Sequence, residues 1–294
     1  MLSWTIGDVT IRRLVEMETP VPYHPKRPFI AEATPEALRE LPWLYPHFVT
    51  PEGHLLTSVH ALLVDAPGVR LVVDTCIGND KPRRLLGNHA LHTEFLQALA
   101  QTGWSCDDVQ AVVCTHLHVD HVGWNTRLDG DRWVPTFPRA RYLFGRTEYE
   151  HWRDDQANPE QQQILADSVQ PIFDAGLVQL VEMDHRITNE VRLVPTPGHT
   201  PGHVSVLIES RGQRALITGD VAHHPCQLGR PSWSTSFDAD RDAAITQRRA
   251  LLAQWADQDL LVIGTHFASP TAGHVRRDGD GYRFAVTSPA DAGS

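Results

Sequence analysis

Residues 115–121 read Thr115-His116-Leu117-His118-Val119-Asp120-His121, and this stretch decides how the rest of the chain is interpreted. In extended backbone, side chains two positions apart point to the same side, so His116 and His118 can bind one metal ion together. The chain must then turn, and the turn directs Asp120 and His121 toward a neighbouring ion. The sequence therefore predicts a metal site with room for two ions.

Three further potential ligands follow apolar runs elsewhere in the chain. They are His199 in Pro197-Gly198-His199-Thr200-Pro201-Gly202-His203, Asp220 in Thr218-Gly219-Asp220, and His266 in Gly264-Thr265-His266-Phe267. A side chain at the end of a strand emerges from the sheet edge on a rigid base, where ligand geometry is held most tightly. The apolar run 109–115 ends in the histidine cluster in the same way, so all these residues are expected at strand ends.

The complete set resembles the metallo-β-lactamase superfamily, whose HxHxDH motif is followed in order by a His, an Asp and a His. The resemblance covers roughly residues 55–275. It implies that the first metal is held by His116, His118 and His199, that the second is held by Asp120, His121 and His266, and that Asp220 bridges them. Val72-Val73-Asp74-Thr75 also resembles a strand-ending motif of the family, and Asp74 is predicted to fix the turn or support a ligand. Cys76 replaces the usual glycine there, which leaves the shape of the turn open.

The hydrophobic pattern predicts an α/β fold: an αββα sandwich of two mixed β-sheets flanked by helices. A hairpin is expected over 2–15, further strands at 58–65, 69–74, 109–115, 140–144, 177–181, 191–195, 204–208, 215–218 and 260–264, and helices at 89–100 and 240–256. One domain over 1–294 is expected, with a proline-rich, lid-like insertion at about 19–57 and a flexible tail after about 287. In the insertion, Thr34 and Pro35 predict the start of a helix that runs through Leu41.

Composition limits the partners. The formal net charge of −10 argues against nucleic acid, whose binding depends on clustered Lys and Arg. No stretch of about 18 apolar residues occurs, so we expect no membrane span. The first residues lack a basic and then apolar signal, so a cytoplasmic location is expected. A small-molecule substrate is the expected partner, and a homodimer is compatible with the resemblance, because dimers are common in the family.

The ligand types narrow the metals and the chemistry. Imidazole with carboxylate suits zinc, which is expected here, and also iron, manganese or cobalt. Two such ions would lower the pKa of a shared water from about 15.7 to about 7 and so supply a nucleophile at neutral pH. Asp120 is both a ligand and the best-placed proton shuttle, so it is the predicted catalytic residue.

The resemblance also narrows the reaction. A bridging Asp is typical of glyoxalase II, lactonases, phosphotriesterase-like members and nucleases of the family. The acidic charge disfavours nucleases. Glyoxalase II is disfavoured because the sequence shows no helical C-terminal region with basic residues for glutathione. The ending at 264–267, with Gly273-His274 beyond it, looks most like the group of acyl-homoserine lactonases and methyl parathion hydrolase. We therefore expect a dinuclear-metal hydrolase that opens a lactone or cleaves a related ester by attack of a metal-bridging hydroxide. An organophosphate phosphotriesterase and a non-catalytic metal-binding protein stay open as alternatives.

Aromatic and histidine side chains in loops are candidates for the substrate pocket. The predicted pocket residues are Trp43 and Phe48 from the insertion, Trp124 after the histidine cluster, and His223, His224 and Trp233 after Asp220. Trp124 suits core packing equally well.

Overall fold

A computed structural model describes residues 1–84 and 89–286 of the protein. The tail predicted after about 287 lies outside the described residues. The strands, in chain order, are β1 (Ser3–Ile6), β2 (Val9–Val21), β3 (Leu55–Ala66), β4 (Val69–Val73), β5 (Ala111–Val113), β6 (Thr126–Asp129), β7 (Arg132–Pro135), β8 (Arg141–Gly145), β9 (Val178–Val181), β10 (Val191–Pro195), β11 (Val204–Ser210), β12 (Gln213–Ile217), β13 (Leu261–Ile263), β14 (Ala272–Asp278) and β15 (Gly281–Ala285).

These strands form two large sheets. The first has the order β1-β2-β3-β4-β5-β8-β9 and the second the order β10-β11-β12-β13-β14-β15, while β6 and β7 form a separate hairpin. The pairs β4–β5, β5–β8, β8–β9 and β12–β13 are parallel, and the other pairs within the large sheets are antiparallel. Both sheets are therefore mixed, as the sequence predicts.

The helices lie between and after the strands. They are α1 (Pro35–Arg39), α2 (Phe95–Gln101), α3 (Arg146–Asp154), α4 (Pro159–Ile164), α5 (Gln170–Asp174), α6 (Cys226–Gly229) and α7 (Arg241–Trp255). Thr34 caps α1 by accepting a hydrogen bond from the Ala37 amide, as predicted, although the helix ends at Arg39. Asp240 caps α7 in the same way through the Ala243 amide.

Three apolar clusters show how the layers pack. One cluster lies between the sheets and includes Val64 of the first and Ile263 of the second. Another covers the outer face of the first sheet with Phe95 of α2. The third covers the second sheet with Trp255 of α7 and Phe48 of the proline-rich segment. Helices outside two packed sheets make the αββα sandwich, so the predicted fold class is confirmed.

Some local predictions differ from the structure. The helix predicted from residue 89 begins at Phe95, because the Asn79 side chain bonds to both the amide and the carbonyl of Thr93 and so takes them out of helical hydrogen bonding. Strand β2 enters the proline-rich segment and includes Pro20. Pro20 is tolerated there because β1 pairs only with residues 9–12, so this end of β2 has β3 as its neighbour on one side alone. The hairpins β6–β7 and β14–β15 and the helices over 146–174 were not predicted.

The connectivity brings four loops to one edge of the sandwich. The parallel strands β4 and β5 end beside each other in the first sheet, and β12 and β13 do so in the second. The carboxyl ends of parallel strands commonly carry binding sites. The loops that follow these four strands hold Asp74, the 116–121 cluster, Asp220 and His266.

Candidate metal centre

The seven side chains predicted as metal ligands converge at this edge. Their ligand atoms form three groups, each within 4.8 Å, that could hold a metal ion: His116, His118 and His199; His116, His121 and Asp220; and Asp120, His121 and His266. Asp220 belongs to the second group and also lies close to histidines of the other two. Its Oδ2 is 3.6 Å from His116 Nε2, and 3.3 Å from both His199 Nε2 and His121 Nε2. Its Oδ1 is 3.1 Å from His266 Nε2.

The outer ring nitrogens of three of these histidines are fixed by groups that can only accept hydrogen bonds. His121 Nδ1 lies 2.9 Å from Asp74 Oδ2, His199 Nδ1 2.9 Å from Asp238 Oδ1, and His266 Nδ1 3.0 Å from the Ser58 carbonyl. Carboxylates and carbonyls have no proton to give, so each Nδ1 carries the hydrogen. In the neutral rings, Nε2 therefore presents its lone pair toward the centre.

The inward-facing nitrogens crowd together. His116 Nε2 and His118 Nδ1 are 3.1 Å apart, His118 Nδ1 and His199 Nε2 are 2.9 Å apart, and His121 Nε2 and His266 Nε2 are 3.3 Å apart. His121 and His266 carry their hydrogens on Nδ1, so when both rings are neutral their Nε2 lone pairs face each other and repel unless a cation lies between them. Asp220 Oδ1 is also buried without a hydrogen-bond partner among the described residues. The donor set therefore fits divalent metal ions.

The electrostatics of the two ends of the cluster differ. Burial lowers the pKa of His116 and His118 well below the usual value. Burial acts in the same direction on His266, but Asp220 and Asp120 outweigh it and raise the pKa of His266 to about 9. The end of the cluster near Asp120 thus stabilises positive charge, as a site for a second cation requires.

Asp74 holds the histidine cluster in place through hydrogen bonds to Thr115 and His121. Its Oδ1 accepts from the Thr115 amide at 2.7 Å, and its Oδ2 accepts from the Thr115 hydroxyl at 2.9 Å as well as from His121. This matches the supporting role predicted for Asp74. Cys76 has a φ of 54°, the left-handed region that favours glycine, so the turn keeps a glycine-like shape despite the substitution.

His203 supports Asp220. The Asp220 amide donates to His203 Nε2 at 2.7 Å, and His203 Nδ1 lies 3.0 Å from the Thr196 carbonyl. Burial lowers the pKa of His203 to about 3, so the ring is neutral and can accept this bond. Gly219 has a φ of 54°, and a Cβ there would lie 2.5 Å from His203 Nε2, so only glycine allows this approach.

Sequence reasoning missed Asp238, the partner of His199. Its carboxylate also accepts from the Ser234 hydroxyl and lies 3.5 Å from Arg248 Nη2. Burial acts to raise the pKa of Asp238, but the hydrogen bond from His199 and the electrostatic effect of the His223 and His199 imidazoles hold it far below its usual range. Asp238 follows His199 by 39 residues in a loop without a motif, so only the fold reveals the pair.

Among the predicted pocket residues, His223 reaches the cluster. Its Nε2 is 3.2 Å from Asp220 Oδ2, its ring stacks on His266 at 5.7 Å, and it meets the edge of Phe29 at 5.9 Å. Phe29 in turn contacts Phe237 at 6.0 Å, and Phe237 is 46% exposed. Sequence reasoning did not single out these two phenylalanines, because neither stands in a motif.

The other five predicted pocket residues lie in or against the hydrophobic core. Phe48 is fully buried against Phe267 and Phe284, which corrects the expectation that it covers a pocket. Its carbonyl accepts from His224 Nε2 at 2.8 Å, so His224 fixes the proline-rich segment.

Three tryptophans make up the rest of that set. Trp124 stacks on Phe95 at 5.2 Å and donates to Glu16 at 2.7 Å. Trp233 is buried in the cluster outside the second sheet, and Trp43 is half-buried against it. These positions are set by packing that the local sequence does not encode.

Comparison with known proteins places this architecture in a family. Residues 55–281 match the model of the metallo-β-lactamase superfamily. That match covers most of the chain, and the chain belongs to this superfamily.

Within the described residues, no helix is long and apolar enough to cross a membrane.

Individual relatives share less of the chain. The N-acyl homoserine lactonase AiiA of Bacillus thuringiensis subsp. kurstaki is 29% identical over 130 residues, which is 44% of this chain and 45% of that protein. A probable metallo-hydrolase of Mycobacterium tuberculosis (strain ATCC 25618 / H37Rv) is 29% identical over 56% of this chain and 57% of that protein. The chain thus spans under half the length of the lactonase it matches.

Solved structures agree on the fold. AidC, a dizinc quorum-quenching lactonase solved in complex with a product, superposes with a TM-score of 0.80 at 21% identity, covering 98% of this chain and 97% of that one. The hydrolase AbOPH superposes with a TM-score of 0.79 at 22% identity, covering 97% of both chains.

Proposed function

We propose that this protein is a dinuclear zinc hydrolase that opens the lactone ring of N-acyl homoserine lactones. The observation that carries the proposal is the inward-facing set of histidine nitrogens around Asp220. His116, His118 and His199 would hold the first ion, Asp120, His121 and His266 the second, and Asp220 both. The lactonases among the relatives support the choice of substrate, and the dizinc centre of AidC supports zinc.

A pair of divalent ions bound there would lower the pKa of a water and polarise a carbonyl oxygen. The surrounding residues orient the proposed ligands. Asp74, Asp238 and Ser58 hold the imidazoles in orientation, and the His203–Asp220 bond fixes the shared carboxylate. A centre held in this way needs little rearrangement during the reaction.

Asp120 is the proposed proton shuttle. Its side chain is 20% exposed, whereas that of Asp220 is 3% exposed and that of His121 is fully buried. One carboxylate oxygen can therefore face a bound substrate. In the reaction, water adds to the lactone carbonyl carbon and the ring C–O bond breaks. Asp120 takes a proton from the attacking water and returns it to the departing ring oxygen, which becomes a hydroxyl group.

The acyl chain of the substrate would lie against Phe29 and Phe237. Phe29 stands beside His223, whose imidazole contacts Asp220, and Phe237 contacts Phe29 in turn, so an acyl chain leading away from the centre would reach both rings. His223 Nδ1 is buried without a hydrogen-bond partner among the described residues. An aromatic wall beside a polar reaction centre suits an amphipathic lactone.

The test measures ring opening of N-hexanoyl homoserine lactone together with the zinc content of the protein. We expect two zinc ions per chain, loss of turnover on chelation and recovery when zinc returns. His118→Ala and His266→Ala should each retain fewer than two ions. Two bound ions without lactone turnover would overturn the substrate assignment, and failure to bind zinc would overturn the metal centre.

A further inference from the structure

A buried carboxylate outside the seven candidate ligands connects two of the loops that carry them. Glu148 is the third residue of α3 and is 1% exposed. Its Oε1 accepts from the Leu117 amide at 3.1 Å and from Trp152 Nε1 at 2.6 Å. Its Oε2 accepts from the Thr200 hydroxyl at 2.7 Å and from the Gly202 amide at 3.1 Å.

The donors belong to the ligand loops themselves. Leu117 stands between His116 and His118, while Thr200 and Gly202 follow His199. These three histidines form one of the groups that could hold a metal ion. Glu148 therefore links, through one side chain, the two separate loops that make this group.

The peptide between His116 and His118 is held on both sides. Its Leu117 carbonyl accepts from Gln161 Nε2 at 2.8 Å, and its Leu117 amide donates to Glu148. Among the described residues, Glu148 has no Lys, Arg or His within ion-pair distance, so its buried charge depends on the four hydrogen bonds. A buried charge without a counter-ion requires such bonds, and each contributes more than a neutral one.

The close packing of α3 on the His199 loop supports the same link. A Cβ on Gly202 would lie 2.3 Å from the Glu148 amide nitrogen and 2.5 Å from its Cα. These are backbone atoms, which cannot move aside as a flexible side chain would. The loop thus rests directly on the helix turn that carries Glu148.

We infer that Glu148 is a positioning residue for the first metal ion, setting the distance between the His116–His118 pair and His199. The inference rests on the proposed dinuclear centre. Glu148 makes no hydrogen bond to the loops carrying Asp220 or His266 among the described residues, and His121 is oriented by Asp74 instead. Loss of the Glu148 carboxylate should therefore lower the affinity for the first metal ion.

Glu148→Gln is the informative variant because it preserves size. One of its terminal atoms becomes an NH₂ group, which faces two donors whichever way the amide turns. Thr200 can rotate its hydroxyl to accept, but the amide of Gly202 or Leu117 cannot. Loss of such supporting contacts lowers metal affinity by about 10- to 100-fold in metalloproteins.

The experiment measures zinc affinity by competition with a chromophoric chelator in two backgrounds. His266→Ala retains the three histidines of the first ion, and His118→Ala retains the ligands of the second. Glu148→Gln should lower zinc affinity about 10- to 100-fold in the His266→Ala background and less than about threefold in the His118→Ala background.

Asp167→Asn is the matched control. Asp167 is also a buried carboxylate with both oxygens bonded, in its case to Arg83, and it touches neither ligand loop through its side chain. It should lower stability without changing zinc affinity in either background. Equal effects of Glu148→Gln in both backgrounds, or an effect matched by Asp167→Asn, would overturn the inference. A wild-type chain that fails to bind two zinc ions would instead refute the proposed function.

Discussion

Replacing Asp238 with asparagine should weaken zinc binding without removing any proposed ligand. Asp238 accepts from His199 Nδ1 at 2.9 Å, and its side chain is fully buried. Asparagine keeps an acceptor but loses the negative charge that increases the basicity of the imidazole. Supporting carboxylates of this kind contribute about 10- to 100-fold in metal affinity, and the retained acceptor favours the lower end. We expect a tenfold loss, or about 1.4 kcal/mol.

The same change also affects folding, so the assay must separate the two effects. Arg248 Nη2 lies 3.5 Å from Asp238. The Nε of Arg248 donates to the Val221 carbonyl and its Nη1 to the Pro231 and Trp233 carbonyls, so these acceptors are retained. Asparagine also removes the charge that accepts the hydrogen bonds from His199 and Ser234. A hydrogen bond to a charged group contributes about 1.5 to 3 kcal/mol, so the free energy of unfolding of the metal-free protein should fall by about 2 kcal/mol in urea.

Arg248→Met serves as the control, because it breaks the ion pair but leaves the His199 bond in place. It should lower stability while zinc affinity, measured by chelator competition, stays within about threefold of wild type, well short of the loss expected from a lost supporting contact. Unchanged zinc affinity in Asp238→Asn, or an equal loss in Arg248→Met, would refute the reasoning.

Three further predictions concern other parts of the molecule. Asp120→Asn should lower lactone turnover more than zinc content, and full turnover with both ions bound would exclude the shuttle role. Phe48→Ala should lower the free energy of unfolding by about 3 to 5 kcal/mol with KM unchanged, because the ring is fully buried; a higher KM at unchanged stability would return Phe48 to the pocket. Burial lowers the pKa of Lys81 from 10.5 to about 7, so between those values the unfolded chain binds more protons and stability rises with pH. Lys81→Met loses the bond to the Thr126 carbonyl at every pH but is free of this charge burial, so its stability relative to wild type should be greatest below pH 7 and fall toward pH 10. A relative stability that does not fall over this range in urea unfolding would contradict this.

The sequence predicted what depends on neighbouring residues. The 116–121 cluster, the alternation of the strands and the helix cap at Thr34 all involve contacts within a few positions, so they can be read along the chain. No local rule identifies His199, Asp220 and His266 as ligands of the same site. Their order along the chain could be recognised only by its resemblance to a family pattern.

What the sequence missed depends on packing between distant segments. Asp238 lies 39 residues from its partner His199, and Glu148 bonds to Thr200, 52 residues away, so both contacts form only when distant segments fold together. Phe48 and Trp124 were candidates for the pocket because exposed and buried aromatics look alike in sequence. Their actual neighbours, such as Phe284 and Glu16, lie far from them in the chain.

The candidate metal centre straddles the interface between the two sheets. The 116–121 ligands follow a strand of the first sheet, whereas His199, Asp220 and His266 follow strands of the second. Bound ions would therefore act as a cross-link whose release is thermodynamically coupled to separation of the two halves. A ligand present at about 100 times its dissociation constant adds about 2.7 kcal/mol to the stability of the state that binds it. By the same coupling, a substitution in the apolar layer between the sheets can lower metal occupancy without touching a ligand.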